Sequence, residues 1–304
     1  MKTAILFLIF NRPDTTFRVF ETIRQAKPPR LYIAADGPRE NRPGEKELCI
    51  ETRSIINKID WECEVKTLFR KTNLGCGKAV SQAITWFFEN EEEGIILEDD
   101  ILAHPDFFPY CEELLSKYRD NESVRFISGR NHLYDKRVNN DSYYFSSINH
   151  VWGWATWRSA WQIYSFDLSN LNEKKFNKAL NKYYSKRIYK NYWKIIFFQM
   201  KNYMIDTWDY QWTISLIYNN SLCIVPNVNL IQNIGFGIDA THTFDVDNKV
   251  SEYKGKSILP LVHPSEILLN RIGDELDIKI NNRYISNSVY FRWRIKQLIK
   301  QLIK

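Results

Sequence analysis

The chain has no long apolar run near its start: Ala4 to Phe10 holds seven residues, whereas a membrane span needs about 20. No signal-peptide cleavage pattern accompanies that run, so the expectation is a cytoplasmic protein. Cysteine is sparse. Cys49, Cys63, Cys76, Cys111 and Cys223 are odd in number, scattered and free of paired spacing, which excludes a disulfide framework and a cysteine-based zinc site and leaves reduced, mostly buried thiols. A nucleotide-triphosphatase loop is also missing. Arg70 to Lys78 approaches one, but the Gly-x-x-x-x-Gly-Lys-Ser/Thr spacing is absent and Ala79 follows the lysine.

What is present suffices for a substantial core. With 304 residues, 44% hydrophobic and 26% charged, the length allows one large domain or two modest ones. The net charge of +6 is concentrated in residues 174–201 and after Arg283, which points to an anionic surface as partner. Nucleic acid is not expected, because no nucleic-acid-binding motif accompanies the basic stretches.

Through the first 130 residues short β-rich runs alternate with amphipathic helical segments. Strands are predicted at 3–10, 31–35, 64–69, 94–97 and 124–128, and helices at 14–25, 45–58, 77–89 and 105–118. This alternation predicts an α/β fold, a mainly parallel sheet with helices on both faces. Ligands in such sheets bind beyond the carboxyl ends of the strands. Those ends carry Asn11-Arg12, Asp36-Gly37, Arg70 and Glu98-Asp99-Asp100 in turn. The triplet is the most informative: carboxylates suit Mg²⁺ or Mn²⁺, which take one or two protein carboxylates and complete their shells with water and substrate phosphates.

Beyond Tyr143 an aromatic-rich stretch contains Trp152-Gly153-Trp154 and Trp157, and helices are predicted at 157–164, 173–204 and 206–219. A strand at 222–225 ends at Pro226, and Gly235-Phe236-Gly237 marks a loop leading to Asp239 and His242. Residues 245–280 show no clear partition.

Leu8 to Arg12, Ala35-Asp36-Gly37, Ile96 to Asp100 with Pro105-Asp106-Phe107-Phe108, Gly153-Trp154 with Trp161, and Trp208 to Trp212 together resemble the GT-A fold glycosyltransferases. More narrowly they resemble the inverting N-acetylglucosaminyltransferase family with a Glu-Asp-Asp metal motif. The resemblance covers residues 3–240 and implies one GT-A domain, with a nucleotide-sugar half over 1–130 and an acceptor half over 131–245. Residues 246–304 form a helical C-terminal extension. The chain departs from that family in lacking an N-terminal membrane anchor, as bacterial enzymes of surface-polysaccharide synthesis do.

Carried over residue by residue, the resemblance implies that Arg12 and Asp36 hold the nucleotide and Glu98 approaches the ribose. Asp100 binds Mn²⁺ or Mg²⁺, and Asp99 contacts the donor sugar or metal-bound water. Arg70 and Lys78 border the donor pocket, with Asn73 or Gly75 starting a helix whose amides face the donor; both cations can equally be surface residues. Asp36 before Gly37-Pro38 also suits an ordinary turn. His242 completes the metal shell or touches the diphosphate.

Inverting transfer needs one base for the acceptor hydroxyl, and Asp209 is the candidate, with Asp206 three residues earlier on the same expected helix as a possible exchange. Trp152, Trp154 and Trp208 are candidate walls for the acceptor sugar, although indoles are more often core.

The expected activity is metal-dependent inverting transfer from a nucleotide sugar, a UDP-sugar such as UDP-N-acetylglucosamine, to a glycan or lipid-linked acceptor of cell-surface polysaccharide. A sugar nucleotidyltransferase and a non-catalytic membrane-associated nucleotide-sugar-binding protein are the alternatives.

In the tail, Phe291, Ile295, Leu298, Ile299 and Leu302 share one helical face, while Arg292, Lys296, Lys300 and Lys304 recur every four residues and no acid follows Asp277. Such a helix suits an anionic membrane surface, each nearby cation adding about 1 kcal/mol. A helix docked on its own core or on a second subunit is the alternative.

Overall fold

A computed structural model describes residues 1–134, 136–235 and 254–302. The first strand, β1 (Ala4–Ile9), is buried at every position, as a strand covered on both faces requires. Helix α1 (Pro13–Ala26) starts with proline inside its first turn and turns Thr16, Val19, Phe20 and Ile23 inward. It stops at Lys27, which takes the left-handed conformation at φ 48°.

Then follow β2 (Arg30–Ala35), α2 (Glu45–Arg53) with a 3₁₀ turn over Ser54–Lys58, β3 (Glu64–Phe69), α3 (Cys76–Asn90) and β4 (Glu93–Glu98). Next come β5 (Ile101–Ala103), α4 (Phe107–Tyr118), β6 (Val124–Ser128), β7 (Tyr143–Ser146), β8 (Trp154–Trp157) and α5 (Arg158–Trp161). Helices α6 (Glu173–Tyr183), α7 (Arg187–Lys201) and α8 (Asp209–Tyr218) precede β9 (Leu222–Pro226) and β10 (Ile231–Asn233). The extension supplies α9 (Arg271–Ile280) and α10 (Asn287–Leu302).

Eight strands form one sheet in the order β3-β2-β1-β4-β8-β6-β9-β7, and β10 pairs with β5 in a small second sheet. Strands β3, β2, β1 and β4 are mutually parallel, β6 and β9 share their direction, and β8 and β7 run against them. This is the expected α/β architecture, a large, mostly parallel sheet flanked by helices. The chain order reverses between β1 and β4, and at such a switch point the loops leaving the two strand ends open a crevice. The edge strand β3 carries Glu64 and Lys66 on exposed or half-exposed positions, which discourages further strand pairing.

The second half departs from the sequence expectations in three places. The aromatic stretch contains strands β7 and β8, and β8 inserts antiparallel between β4 and β6. The helix expected over 157–164 is four residues long. The helix expected over 173–204 is two, because Tyr184 and Lys186 take extended backbone. That break lets Phe176 and Leu180 of α6 and Trp193 and Phe197 of α7 enter one cluster with Ile214 and Ile217 of α8. Nothing in Tyr184-Ser185-Lys186 is a helix breaker, so the period alone reads straight through.

All five cysteines are free thiols. Among the described residues no helix is long and apolar enough to cross a membrane. The C-terminal extension is fastened through α9, whose Asp274 accepts hydrogen bonds from the hydroxyls of Ser146 and Ser147, both at 2.6 Å. Asp277, also buried, lies 2.8 Å from His150 Nε2 and 3.6 Å from Arg283.

Candidate active site

The parallel register puts Ile9 beside Ala35, Ala35 beside Phe69 and Leu8 beside Glu98, so the residues after β1, β2, β3 and β4 emerge on one rim. A cavity of about 430 Å³ opens there, and Arg12, Asp36, Arg70, Glu98, Asp99, Asp100 and Trp152 all line it. Seven residues singled out in the sequence thus share one cavity.

The rim is held by polar bonds rather than by packing. Asp99 is buried; it accepts from the Phe10 amide at 3.1 Å and from the Arg12 guanidinium, welding the end of β4 to the loop after β1. Arg12 also donates to Asp100 at 3.1 Å. Burial opposes the Arg12 charge, but Asp99 and Asp100 outweigh it and hold the guanidinium above its ordinary value. The cation read as a nucleotide ligand is therefore committed first to the acidic triplet.

Glu98 accepts no hydrogen bond from the described residues, and burial with the neighbouring Asp100 and Asp99 pushes it up to about 8. Behind Asp100, Gly235 approaches so closely that a Cβ there would meet Asp100 Oδ2 at 2.2 Å. The backbone is pinned at that point by Ile234 N–H to Asp100 O at 2.8 Å.

At the β2 end, Asp36 accepts from the amides of Gly37 at 2.9 Å, Leu74 at 3.0 Å and Gly75 at 3.2 Å. Burial raises its pKa while those amides and Arg70 oppose the rise. A Cβ on Gly37 would lie 2.3 Å from the Thr72 carbonyl carbon, so glycine is what lets the two loops touch. Arg53 donates to the carbonyls of Asp36 and Arg70, each at 2.8 Å, clamping the β2 and β3 ends together. Arg70 itself reaches Gln82 at 3.3 Å, and burial lowers its pKa.

Other expected residues lie elsewhere. Lys78 is exposed on α3 and does not line the cavity. Trp154 is fully buried, stacked 5.0 Å from Phe126 and 5.7 Å from Trp208, which is itself buried. The sugar-wall reading of Trp154 and Trp208 is thus corrected: strand β8 delivers Trp154 into the aromatic core, and Trp208 closes that core from the start of α8. Trp152, set off by Gly153 at φ 62°, is the indole that reaches the cavity, with Arg130 5.3 Å over its ring. His242 lies outside the described residues.

Asp206 and Asp209 do not share a helix. Asp206 precedes α8, lines the cavity and accepts from the Gly77 amide at 3.1 Å, occupying the start of α3. Asp209 begins α8 and accepts from the Thr207 hydroxyl. Cys76, in the cavity wall, is pushed up to about 12 by burial and by Glu98, Asp206, Asp209 and Asp36. Burial and these negative charges both disfavour the Cys76 thiolate.

Sequence reasoning missed the brace behind the first loop. Glu45, buried at the start of α2, accepts from Asn11 at 3.0 Å and from Arg39, whose guanidinium lies 5.6 Å from the Phe10 ring. Burial works against the Glu45 charge, but Arg39 and Asn11 hold it below the ordinary carboxylate range. The surrounding Pro38 to Pro43 segment reads as plain polar loop, so no local signal marks it.

Among the described residues no group of three or more His, Cys, Asp or Glu side chains is arranged to hold a metal unaided. The residues nevertheless fit a divalent cation shared with a diphosphate: among the described residues Glu98 accepts no hydrogen bond and Asp100 gives one side-chain oxygen, to Arg12, and the cavity lining carries excess negative charge.

No family model matches the sequence, and none of the curated proteins matches it. Among solved structures the chain is similar to S. aureus TarS 1–349, at 8% identity and TM-score 0.43, over 77% of this chain and 61% of that one. It is also similar to HddC from Yersinia pseudotuberculosis, at 11% identity and TM-score 0.34 over 56% and 86% of the two chains. A UDP-glucose pyrophosphorylase complexed with UDP-glucose gives 12% identity and TM-score 0.32 over 54% and 79%. Likenesses this partial carry no weight for activity; the site's own geometry does.

Proposed function

We propose that the protein transfers a sugar from a nucleotide sugar, a UDP-sugar in the first instance, to a hydroxyl of a glycan or lipid-linked acceptor, with inversion. The observation that carries this reading is the convergence of Arg12, Asp36, Arg70 and Glu98 to Asp100 on one cavity at the sheet's switch point. A cavity of about 430 Å³ is within the size range of small-molecule sites.

In this reading Asp36 and Arg70 border the nucleotide, and Asp99 and Arg12 hold the rim in shape. Glu98 and Asp100 would hold Mn²⁺ or Mg²⁺ together with the donor diphosphate. When bound, that cation would stabilise the negative charge growing on the departing nucleotide. The acceptor oxygen bonds to the anomeric carbon on the face opposite the nucleotide, the old carbon–oxygen bond breaks, and its electron pair leaves with the diphosphate. Asp209 takes the acceptor proton, and Trp152 offers an indole face to a sugar ring.

The test is a transfer assay with a panel of nucleotide sugars, with and without Mn²⁺, alongside thermal shifts. Divalent-dependent stabilisation by one donor and loss of transfer in Asp100→Ala are expected. Transfer unaffected by that change and by chelation rejects the reading. Pyrophosphate release from a nucleoside triphosphate would assign a nucleotidyltransferase, and donor binding with neither transfer nor hydrolysis would assign a non-catalytic binder.

A further inference from the structure

Helix α10 docks by one side only. Trp293 lies 5.1 Å from Phe198 of α7, edge to face, Tyr290 packs on Trp293 at 5.6 Å, and Lys194 of α7 sits 5.9 Å from the Tyr290 ring. Both aromatic residues are half-buried. With successive residues about 100° apart around the axis, Phe291, Ile295 and Ile299 form a stripe roughly 80° wide on the far side of the helix. That stripe is bare: the three are 65%, 40% and 49% exposed. The contact anticipated for this apolar face within the chain is made by the opposite face instead.

Charge borders the stripe on both flanks. Arg292 and Lys296 follow it on one side and Arg294 on the other, all exposed. The helix beneath adds Arg187 and Lys190: burial lowers the Lys194 pKa, and Arg187, Lys190 and Arg294 of α10 lower it further, against Glu173. No acid follows Asp277 in the sequence. An apolar strip edged by cations on a helix held flat against the protein matches the interface of an anionic bilayer, where side chains of this kind sink to the headgroup boundary and basic residues meet phosphates. A second copy of the chain would bring the same cations face to face.

We infer that the outer face of α10 is a docking surface for an anionic membrane, with Phe291, Ile295 and Ile299 inserted and Arg292, Arg294 and Lys296 on lipid phosphates. This inference is independent of the catalytic assignment. The helix is tied through α7 to α8, since Phe197 and Ile196 of α7 pack with Ile214 and Ile217 of α8. The bilayer is thereby fixed in position relative to the helix that starts at Asp209.

Flotation of the full chain with phosphatidylcholine vesicles, with and without phosphatidylglycerol, tests it. Binding is expected only with the anionic lipid and should weaken as salt is raised. Phe291→Glu with Ile295→Glu should lower the bound fraction about tenfold or more, and Arg292→Glu with Lys296→Glu should do likewise. Neither pair should move the thermal midpoint, because these side chains are exposed. Vesicle binding that is absent, or equal in all variants, overturns the inference. So does light scattering that shows a dimer which the Phe291→Glu, Ile295→Glu chain converts to monomer.

Discussion

The two ends of the central sheet use their conspicuous residues in opposite ways. In the β3-β2-β1-β4 half, charged residues at the strand ends face a cavity and are held there by amides and ion pairs, as Asp36 and Asp99 are. In the β8-β6-β9-β7 half, the tryptophans that stand out in the sequence are mostly interior: Trp154 and Trp212 are fully buried, and His150, which carries no signal in the sequence, pairs with Asp277 inside the molecule. The difference lies in where each chain segment meets the switch point. A parallel strand delivers the residues after its carboxyl end to the rim, whereas antiparallel β8 delivers the residues that precede its start. Trp152, just before β8, therefore reaches the cavity while Trp154 does not.

The sharpest way to break this comparison is at Asp206, which bridges to the start of α3, and at Asp209, which opens α8. Asp209→Asn should lower transfer by about 10²–10⁴-fold with donor affinity retained. Asp206→Asn should act mainly on donor binding, because Asp206 accepts from the Gly77 amide at the start of α3. Equal loss of transfer and binding in Asp209→Asn would remove it as the base. Loss of transfer with donor binding intact in Asp206→Asn would move the base to the residue that lines the cavity. Both are read from kcat, KM and direct donor titration.

The tryptophans separate core from wall. Trp154→Ala should destabilise the protein by about 3–5 kcal/mol, the range for deleting a buried indole. Trp152→Ala should cost stability little and lower kcat/KM for the acceptor. Urea unfolding paired with acceptor kinetics checks both, and the opposite pattern would return Trp154 to the site.

A smaller effect is expected where two loops touch. Gly37→Ala places a methyl against the Thr72 backbone, which must shift. The expected cost is about 1–3 kcal/mol, together with weaker donor binding, since the same loop carries the amides that hold Asp36. Unchanged donor affinity would show that the Thr72 to Gly75 loop does not shape the nucleotide end.

Much of the first 130 residues was legible because its signals are local. Apolar runs such as Gly94 to Leu97 end in charge, and alternation with helices gives parallel order without any knowledge of contacts. What was not legible depended on pairing across the chain. Strand β8 has only four residues, all aromatic, Ala or Thr, and its place between β4 and β6 is set by partners remote in sequence. The break at Tyr184 comes from three helices sharing one cluster, and the commitment of Arg12 to Asp99 and Asp100 spans more than eighty positions. The outward stripe on α10 was visible as a pattern, but which face docks was not.

The least change is expected from pH, and it probes the joint between the halves. His132 stacks 4.2 Å from His150 and packs 5.6 Å from Trp152, joining the cavity wall to the Asp277 pair. Burial, then His150, Arg130 and Arg283, disfavour its imidazolium, and Asp277 alone favours it, so its folded pKa lies well below the ordinary 6.5. Above pH 6.5 both folded and unfolded chains carry a neutral ring. Below it the unfolded chain takes up a proton that the folded chain refuses, and stability falls with pH. Asp274, raised to about 6 by burial, acts in the other direction between about 6 and its ordinary 3.8, and Glu98, raised to about 8, does so over a wider range, so the wild-type profile mixes several groups. Subtracting a His132→Gln variant cancels Asp274 and Glu98. The difference in unfolding free energy between wild type and variant should shift by about 1 kcal/mol against the wild type from pH 7.5 to 5.5. A difference that stays constant would mean that His132 is protonated in the folded protein, with Asp277 outweighing burial and the nearby cations.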